Sequence, residues 1–166
     1  MMNTRLVTDD NFFTCASTWE DVAEYIPKDK VIWEAFYNEH SESAIHLQNI
    51  GCEQVINDGN LDFYTDFPIQ AELIVSNPPF TNKEQLMKRL YELDLPFMLI
   101  FPIHSLRIRC VKKYFGNKLQ IILPKKRIHF AQFNGEDNQL IAKKQPSFDC
   151  IYICYEMNLP SDLVWL

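Results

Sequence analysis

Ala71-Glu72-Leu73-Ile74-Val75-Ser76-Asn77-Pro78-Pro79-Phe80 reads as a buried strand cut short by two prolines. The unbroken apolar run Leu73 to Val75 is what a strand covered on both faces requires. Pro78 and Pro79 have fixed φ and no N–H, so the ladder cannot continue past Asn77, and the carbonyls here stay free to accept hydrogen bonds. Asn82 to Leu93 then places Leu86, Leu90 and Leu93 on one helical face, with Lys83, Glu84, Lys88 and Arg89 around it. Strand, tight turn, helix is the unit of an open α/β sheet, whose ligands bind in the crevice beyond the carboxyl ends of the strands. There Asn77 and the Pro78 carbonyl offer two acceptors to one NH2 group, and Phe80 offers a flat surface to a ring. The same residues also serve as a plain strand-ending turn, because Asn-Pro starts turns and the following Phe can belong to the core.

Outward from this stretch the alternation persists. Thr14 to Ile26 has apolar residues at Trp19, Val22, Ala23 and Ile26, which predicts a helix stopped by Pro27. Val31 to Phe36 predicts a strand, Ser43 to Ile50 a helix capped by Gly51, and Gln54 to Ile56 a short strand ending in the turn Asn57-Asp58-Gly59. Beyond the central stretch, Pro96 to Ile103 is the most apolar run, Ser105 to Phe115 predicts a basic amphipathic helix closed by Gly116, and Leu119 to Leu123 predicts a strand. Ile128 to Phe133 alternates and is expected to extend a strand. Asn134 to Pro146 is polar and expected to be exposed, Phe148 to Tyr155 is a last strand, and the tail is short. Two strands without an intervening helix close the chain. The expectation is therefore a mostly parallel sheet with helices on both faces and an antiparallel strand near one edge.

A length of 166 residues suits one domain, 1–166, with no separate target-recognition domain. No apolar run approaches a membrane span and no signal-type segment follows the start, so the expectation is a soluble intracellular protein, cytoplasmic or, in a eukaryote or its virus, nuclear. Cys15, Cys52, Cys110, Cys150 and Cys154 form no C-x-x-C pair, which points to buried reduced thiols and to neither a metal nor a disulfide framework. Net charge is −6, but Leu95 to Gly135 contains no acid and eight of the sixteen basic residues. A basic side on an acidic molecule suits phosphate contact, with Lys125, Lys126 and Arg127 as the candidate nucleic-acid-binding loop; a solvated helix face with turn lysines gives the same composition.

The order of these features, with Asn77-Pro78-Pro79-Phe80 as the most specific, resembles class I S-adenosylmethionine-dependent methyltransferases of the adenine-N6 type, and most of all the small adenine methyltransferase-like domains of viral and phage genomes. The likeness covers roughly residues 12 to 157 and implies a Rossmann-like sheet with S-adenosyl-L-methionine as cofactor. It assigns Phe13 and Thr14 to the segment near the methionine end of the cofactor, Glu34 to the acid contacting that portion, and Phe36 and Asn38 to the first cofactor loop. Asp58 matches the ribose-binding acid, with Asn57 adjacent; Asp62 and Phe63 match the pair at the cofactor's adenine, and Ser76 with Asn77 the strand end that borders both ligands. Asn77, Pro78, Pro79 and Phe80 would be catalytic: Asn77 and the Pro78 carbonyl accept the protons of the target amine, and Phe80 stacks on the flipped base, with no covalent intermediate and no metal. The family's loop glycines are replaced here by Asn38 and His40, the residue types that best tolerate positive φ, which is how the loop shape would survive.

Three functions remain open on the sequence. The first is adenine-N6 methylation of DNA or RNA, on a single-stranded or flipped base. The second is methylation of guanine-N2 or a glutamine amide, and the third is a catalytically degenerate fold that binds nucleic acid or a partner protein. A homodimer or a partner subunit is compatible with each.

Overall fold

The computed structural model describes residues 12–134, 139–141 and 145–166, the side chains of 132–134 and 139–141 excepted. Its elements in chain order are β1 Phe13–Thr14, α1 Ala16–Glu20, β2 Val31–Trp33, α2 Ser43–Asn49, β3 Gln54–Ile56, β4 Leu73–Ser76, α3 Lys83–Leu93, β5 Phe97–Pro102, α4 Arg109–Tyr114, β6 Gln120–Leu123, β7 Phe130–Asn134, β8 Gln139–Ile141, β9 Cys150–Tyr155 and β10 Leu163–Trp165. The main sheet runs β3-β2-β4-β5-β9-β6-β10, and β9 lies antiparallel to both β5 and β6 while the other pairings are parallel. It is the α/β, Rossmann-like sheet expected from the sequence, mostly parallel with one antiparallel C-terminal strand.

Strands bury both faces, and the burial alternates as the pleat demands. Ile32, Leu73, Val75, Met98 and Ile100 meet Trp19 and Leu47 on the α1–α2 face. Trp33, Ile74, Phe97, Leu99 and Phe101 meet Leu86, Met87 and Leu90 of α3 and Cys110 and Val111 of α4 on the other. Trp19 and Trp33 are almost wholly buried, and each burial of that size stabilises by about 3 kcal/mol. The α2 helix ends in a Schellman motif: Cys52 N–H bonds Leu47 O at 3.2 Å, Gly51 N–H bonds Gln48 O at 2.9 Å, and Gly51 takes φ of 101°. Four of the five cysteines are buried and Cys15 partly so, all as free thiols. No helix among the described residues is long and apolar enough to cross a membrane.

Four sequence expectations are corrected. The first helix is only Ala16–Glu20 followed by a 3-10 turn at Ala23–Tyr25, because Tyr152 OH takes the Thr18 carbonyl at 2.7 Å, the acceptor that the Val22 N–H would need. The helix expected from Ser105 is split into a 3-10 turn, Ile103–Arg107, and α4, with Ile108 extended between them. Its start is tethered sideways, Ile103 N–H to Asp149 O at 2.9 Å. Strict helix alternation fails between β3 and β4, where residues 57–72 cross without a helix; Arg89 of α3 holds that crossing by donating to Phe63 O at 2.9 Å and Asp66 O at 2.8 Å. The alternating run near Ile128 extends no strand of the main sheet: β7 joins β1 and β8 in a separate small sheet. The short tail carries β10, which pairs in parallel with β6. Of the polar stretch expected between Asn134 and Pro146, residues 135–138 and 142–144 lie outside the described residues.

Candidate active site

Parallel strands deliver their carboxyl ends to one edge, and a cavity of about 270 Å³ opens there. Its wall is built from the end of β2 (Glu34 to Asn38), the crossing after β3 (Gly59, Leu61 to Tyr64), the N-terminal strand (Phe12 to Thr14) and Asn77 to Phe80 after β4. Of the sequence-predicted residues the fold brings together Phe13, Thr14, Glu34, Phe36, Asn38, Asp62, Phe63, Asn77, Pro78, Pro79 and Phe80. Ser76 is fully buried behind the wall. Asp58 stands outside the cavity, where its Oδ1 accepts from the Asn60 N–H and side-chain amide, both at 2.9 Å. Lys125, Lys126 and Arg127 are exposed on the loop that leaves β6 at the same sheet edge.

Asn77 is oriented by a contact that the sequence conceals. Its Nδ2 donates to the Phe12 carbonyl at 2.8 Å, which decides which way the amide faces. Its Oδ1 is buried without a hydrogen-bond partner among the described residues. A buried carbonyl oxygen left unsatisfied costs about 1–3 kcal/mol, so this acceptor is poised for a donor from a ligand.

Glu34 is the second polar centre. It is buried, and burial pushes its carboxyl up to about 7, against the opposing hold of the Ser76 hydroxyl and the Asn77 amide N–H. The Ser76 Oγ–H donates to one carboxylate oxygen, and Asn57 Nδ2 donates to the other at 2.5 Å and to the Glu34 carbonyl at 2.8 Å.

Aromatic rings supply most of the remaining wall. Phe36 packs on Phe63 at 4.7 Å between ring centres, and Tyr64 meets Phe63 edge-on at 5.2 Å. Burial and Asp62 together raise the Tyr64 phenol above its ordinary value. Phe80 is only 7% exposed, enclosed by Phe12 at 6.2 Å, Phe130 at 6.1 Å and Phe148 at 5.3 Å. The segment carrying Phe130 and Phe148 is fixed by Gln145, whose amide brackets the Phe130 backbone at 2.8 and 2.9 Å, and by Arg127, which donates to the Pro146 and Phe148 carbonyls and pairs with Asp149 at 3.1 Å. Arg127 is thus engaged within the protein, whereas Lys125 and Lys126 have no ion pair among the described residues.

The cofactor-loop expectation is corrected in one respect. Neither Asn38 nor His40 takes a positive φ. The loop is instead an Asx turn in which Asn38 Oδ1 accepts the His40 N–H at 3.0 Å, with Ser41 N–H on the Asn38 carbonyl at 2.9 Å. Close backbone approach occurs at Gly59, where a Cβ would lie 2.7 Å from the Tyr37 ring. Gly59→Ala is therefore expected to push Tyr37 off the cavity wall, weakening ligand binding about tenfold while costing about 1 kcal/mol or less of stability, which titration calorimetry and urea unfolding would separate.

Sequence reasoning missed Phe12, Tyr37, Gly59, Tyr64, Phe130 and Phe148. An aromatic beside Phe13 and the Asn-Asp-Gly turn were visible signals for Phe12 and Gly59. Nothing local marks Phe130 and Phe148, which arrive by long-range packing.

No protein-family model matches the chain, and no curated protein matches it. Among solved structures it is similar to a precorrin-6y C5,15-methyltransferase from Geobacter metallireducens GS-15, with 11% identity, 90% of this chain and 97% of that one covered, and a TM-score of 0.45. It is also similar to the 23S rRNA methyltransferase ErmE, with 15% identity, 87% and 69% covered and a TM-score of 0.46. A third is a predicted O-methyltransferase, Atu636 from Agrobacterium tumefaciens, with 14% identity, 97% and 80% covered and a TM-score of 0.41.

Proposed function

We propose that this chain transfers the methyl group of S-adenosylmethionine to the exocyclic N6 amine of an adenine in DNA or RNA. The observation that carries the reading is Asn77, with Nδ2 held by the Phe12 carbonyl and a buried Oδ1 that lacks a partner. An aromatic amine is a poor nucleophile because its lone pair is delocalised into the ring. Asn77 Oδ1 and the Pro78 carbonyl would accept its two N–H bonds, localising the lone pair on nitrogen and holding it in line for attack, and the surplus proton passes to solvent. Phe80 would offer its edge to the base within an aromatic enclosure.

The cavity fits the methyl donor's charge. Among the described residues Glu34 and Asp62 line it, no Lys, Arg or His does, and seven aromatic residues surround them. Carboxylates and ring faces suit a cation, and S-adenosylmethionine, when bound, supplies an electrophilic methyl on a sulfonium. Glu34, Asp62, Phe36 and Phe63 would hold it; Phe13 and Thr14 would close the methionine side, with Asn38 on the same loop. A phosphate-bearing nucleotide would meet two acids and no base there.

Nucleic acid as the acceptor is supported by the same sheet edge. The Lys125–Lys126 loop leaves β6 three strand spacings from β4, about 14 Å, which is about four stacked nucleotides. Calorimetry with S-adenosylmethionine, followed by transfer of a labelled methyl to an oligonucleotide and identification of the modified base, tests the proposal. A methylated guanine-N2 or a glutamine amide would redirect it, and failure to bind the donor would sink it. Replacing Lys125 and Lys126 by Ala is expected to weaken single-strand binding alike for all sequences and to lower the salt slope by about 1.4.

One observation favours a second reading. The Asx turn at Asn38 replaces the glycine loop, as befits a degenerate member that binds nucleic acid or a partner without transfer. Donor binding in the same calorimetry decides against it.

A further inference from the structure

The end of β5 lies beside Asn77 and carries side chains that the cavity does not use. β4 and β5 are neighbours, so Ile103 and His104, which follow β5 directly, sit one strand spacing, about 5 Å, from the end of β4. Both are exposed, Ile103 by 43%, although Pro102 and Ser105 on either side of them are buried. Their backbone is fixed: Ile103 N–H donates to Asp149 O at 2.9 Å, and Ile108 N–H donates to Ser105 O at 3.1 Å.

A chain of rings joins this turn to the acceptor pocket. Phe80 meets Phe148 at 5.3 Å and Phe148 meets His104 at 5.5 Å, both edge-on. Arg127 donates to the Phe148 carbonyl at 3.2 Å, which ties the rings to the loop carrying Lys125 and Lys126. Asp149, the acid beside them, is paired with Arg127 at 3.1 Å. Because β9 is antiparallel, its start lies at the carboxyl edge of its neighbours. The order along that edge is therefore Asn77, then Ile103 and His104, then Phe148, then Lys125 and Lys126.

We propose that Ile103 and His104 form the stacking platform for the nucleotide next to the target adenine, so that a single strand runs along the carboxyl edge from Asn77 across the ends of β5 and β9 to Lys125 and Lys126. The proposal rests on the nucleic-acid reading of the site and names residues that hold the strand there. Single-strand sites combine flat side chains under the bases with cations that follow the backbone, and this strip has both in sequence. A target base drawn out of the stack leaves its neighbour without a partner, and a platform beside the pocket offsets that loss. Charge decides the occupant: the strip ends on two lysines without an ion pair among the described residues, and the acid beside it is neutralised by Arg127.

His104→Ala, His104→Phe and Ile103→Ala test it, all at exposed positions. The probe is a single-stranded oligonucleotide with one adenine among thymines, titrated into protein free of donor. Two further versions are abasic at the nucleotide on one side of the adenine or the other. His104→Ala is expected to weaken binding of the intact probe about tenfold and to leave binding of one abasic version unchanged. His104→Phe, which keeps a ring, is expected to stay within about threefold of the parent, and Ile103→Ala to lose about threefold in the same pattern as His104→Ala. A loss that persists on both abasic versions overturns the platform. An equal loss in His104→Phe and His104→Ala overturns it too, and makes His104 a phosphate contact. Where His104→Ala fails to fold, Ile103→Ala carries the same comparison. A parent that binds no single strand overturns the platform together with the nucleic-acid reading. A parent that binds the probe but neither binds donor nor transfers methyl removes the methyl-transfer reading, while the abasic comparison still decides the platform.

Discussion

Asn77→Ala is expected to slow methyl transfer by about a thousandfold while donor affinity changes little. The substitution deletes an oxygen that has no partner among the described residues and a nitrogen that holds that oxygen in place. Loss of the unpartnered carbonyl removes a buried polar group, so the variant is expected to be no less stable than the parent by more than about 1 kcal/mol. A single-turnover assay with donor affinity measured in parallel checks this; undiminished transfer would remove Asn77 from the mechanism.

Glu34→Gln is expected to stabilise the protein at pH 8 and destabilise it in acid. Burial raises the Glu34 carboxyl from 4.5 in the unfolded chain to about 7 in the folded one, so the native state binds this proton more tightly. The stability it contributes is full below pH 4.5 and fades as pH rises through 7, by about 3 kcal/mol in all. Glutamine carries no such dependence. Its amide can be received if Asn57 turns its own amide over, at the loss of one hydrogen bond, about 1 kcal/mol. The variant is then about 2 kcal/mol more stable at pH 8 and about 1 kcal/mol less stable at pH 4. Urea midpoints of both proteins across pH 4 to 8 measure the difference, in which the other carboxylates cancel. A difference that does not vary with pH would mean that folding leaves the Glu34 carboxyl at its unfolded-chain value.

The sequence was most legible where local chemistry dominates. Leu73 to Val75, closed by Pro78 and Pro79, marked β4 and its crevice, and Gly51 marked the end of α2, because each signal lies in consecutive residues. The position of Asn77 to Phe80 at a strand end was readable for the same reason, whereas Phe13, Thr14, Glu34, Phe36, Asn38, Asp62 and Phe63 were named only through the family resemblance. What escaped was set at a distance. Tyr152, 134 positions from Thr18, breaks the first helix; Arg89 replaces a helix in the crossing after β3; Gln145 and Arg127 deliver Phe130 and Phe148 to Phe80. Asp58 shows the converse, an acid after a strand whose oxygen is consumed by its own turn.

The bonds that define the site span 23, 42 and 65 residues of chain, for Asn57 to Glu34, Ser76 to Glu34 and Asn77 to Phe12. Closing such separations is entropically costly and follows the pairing of neighbouring segments. A chain that has formed α3 and the β4–β5 ladder therefore has the strand end that carries Asn77 but not the partners that orient it. Competence to bind thus waits on long-range closure, which brings Phe12 to the end of β4.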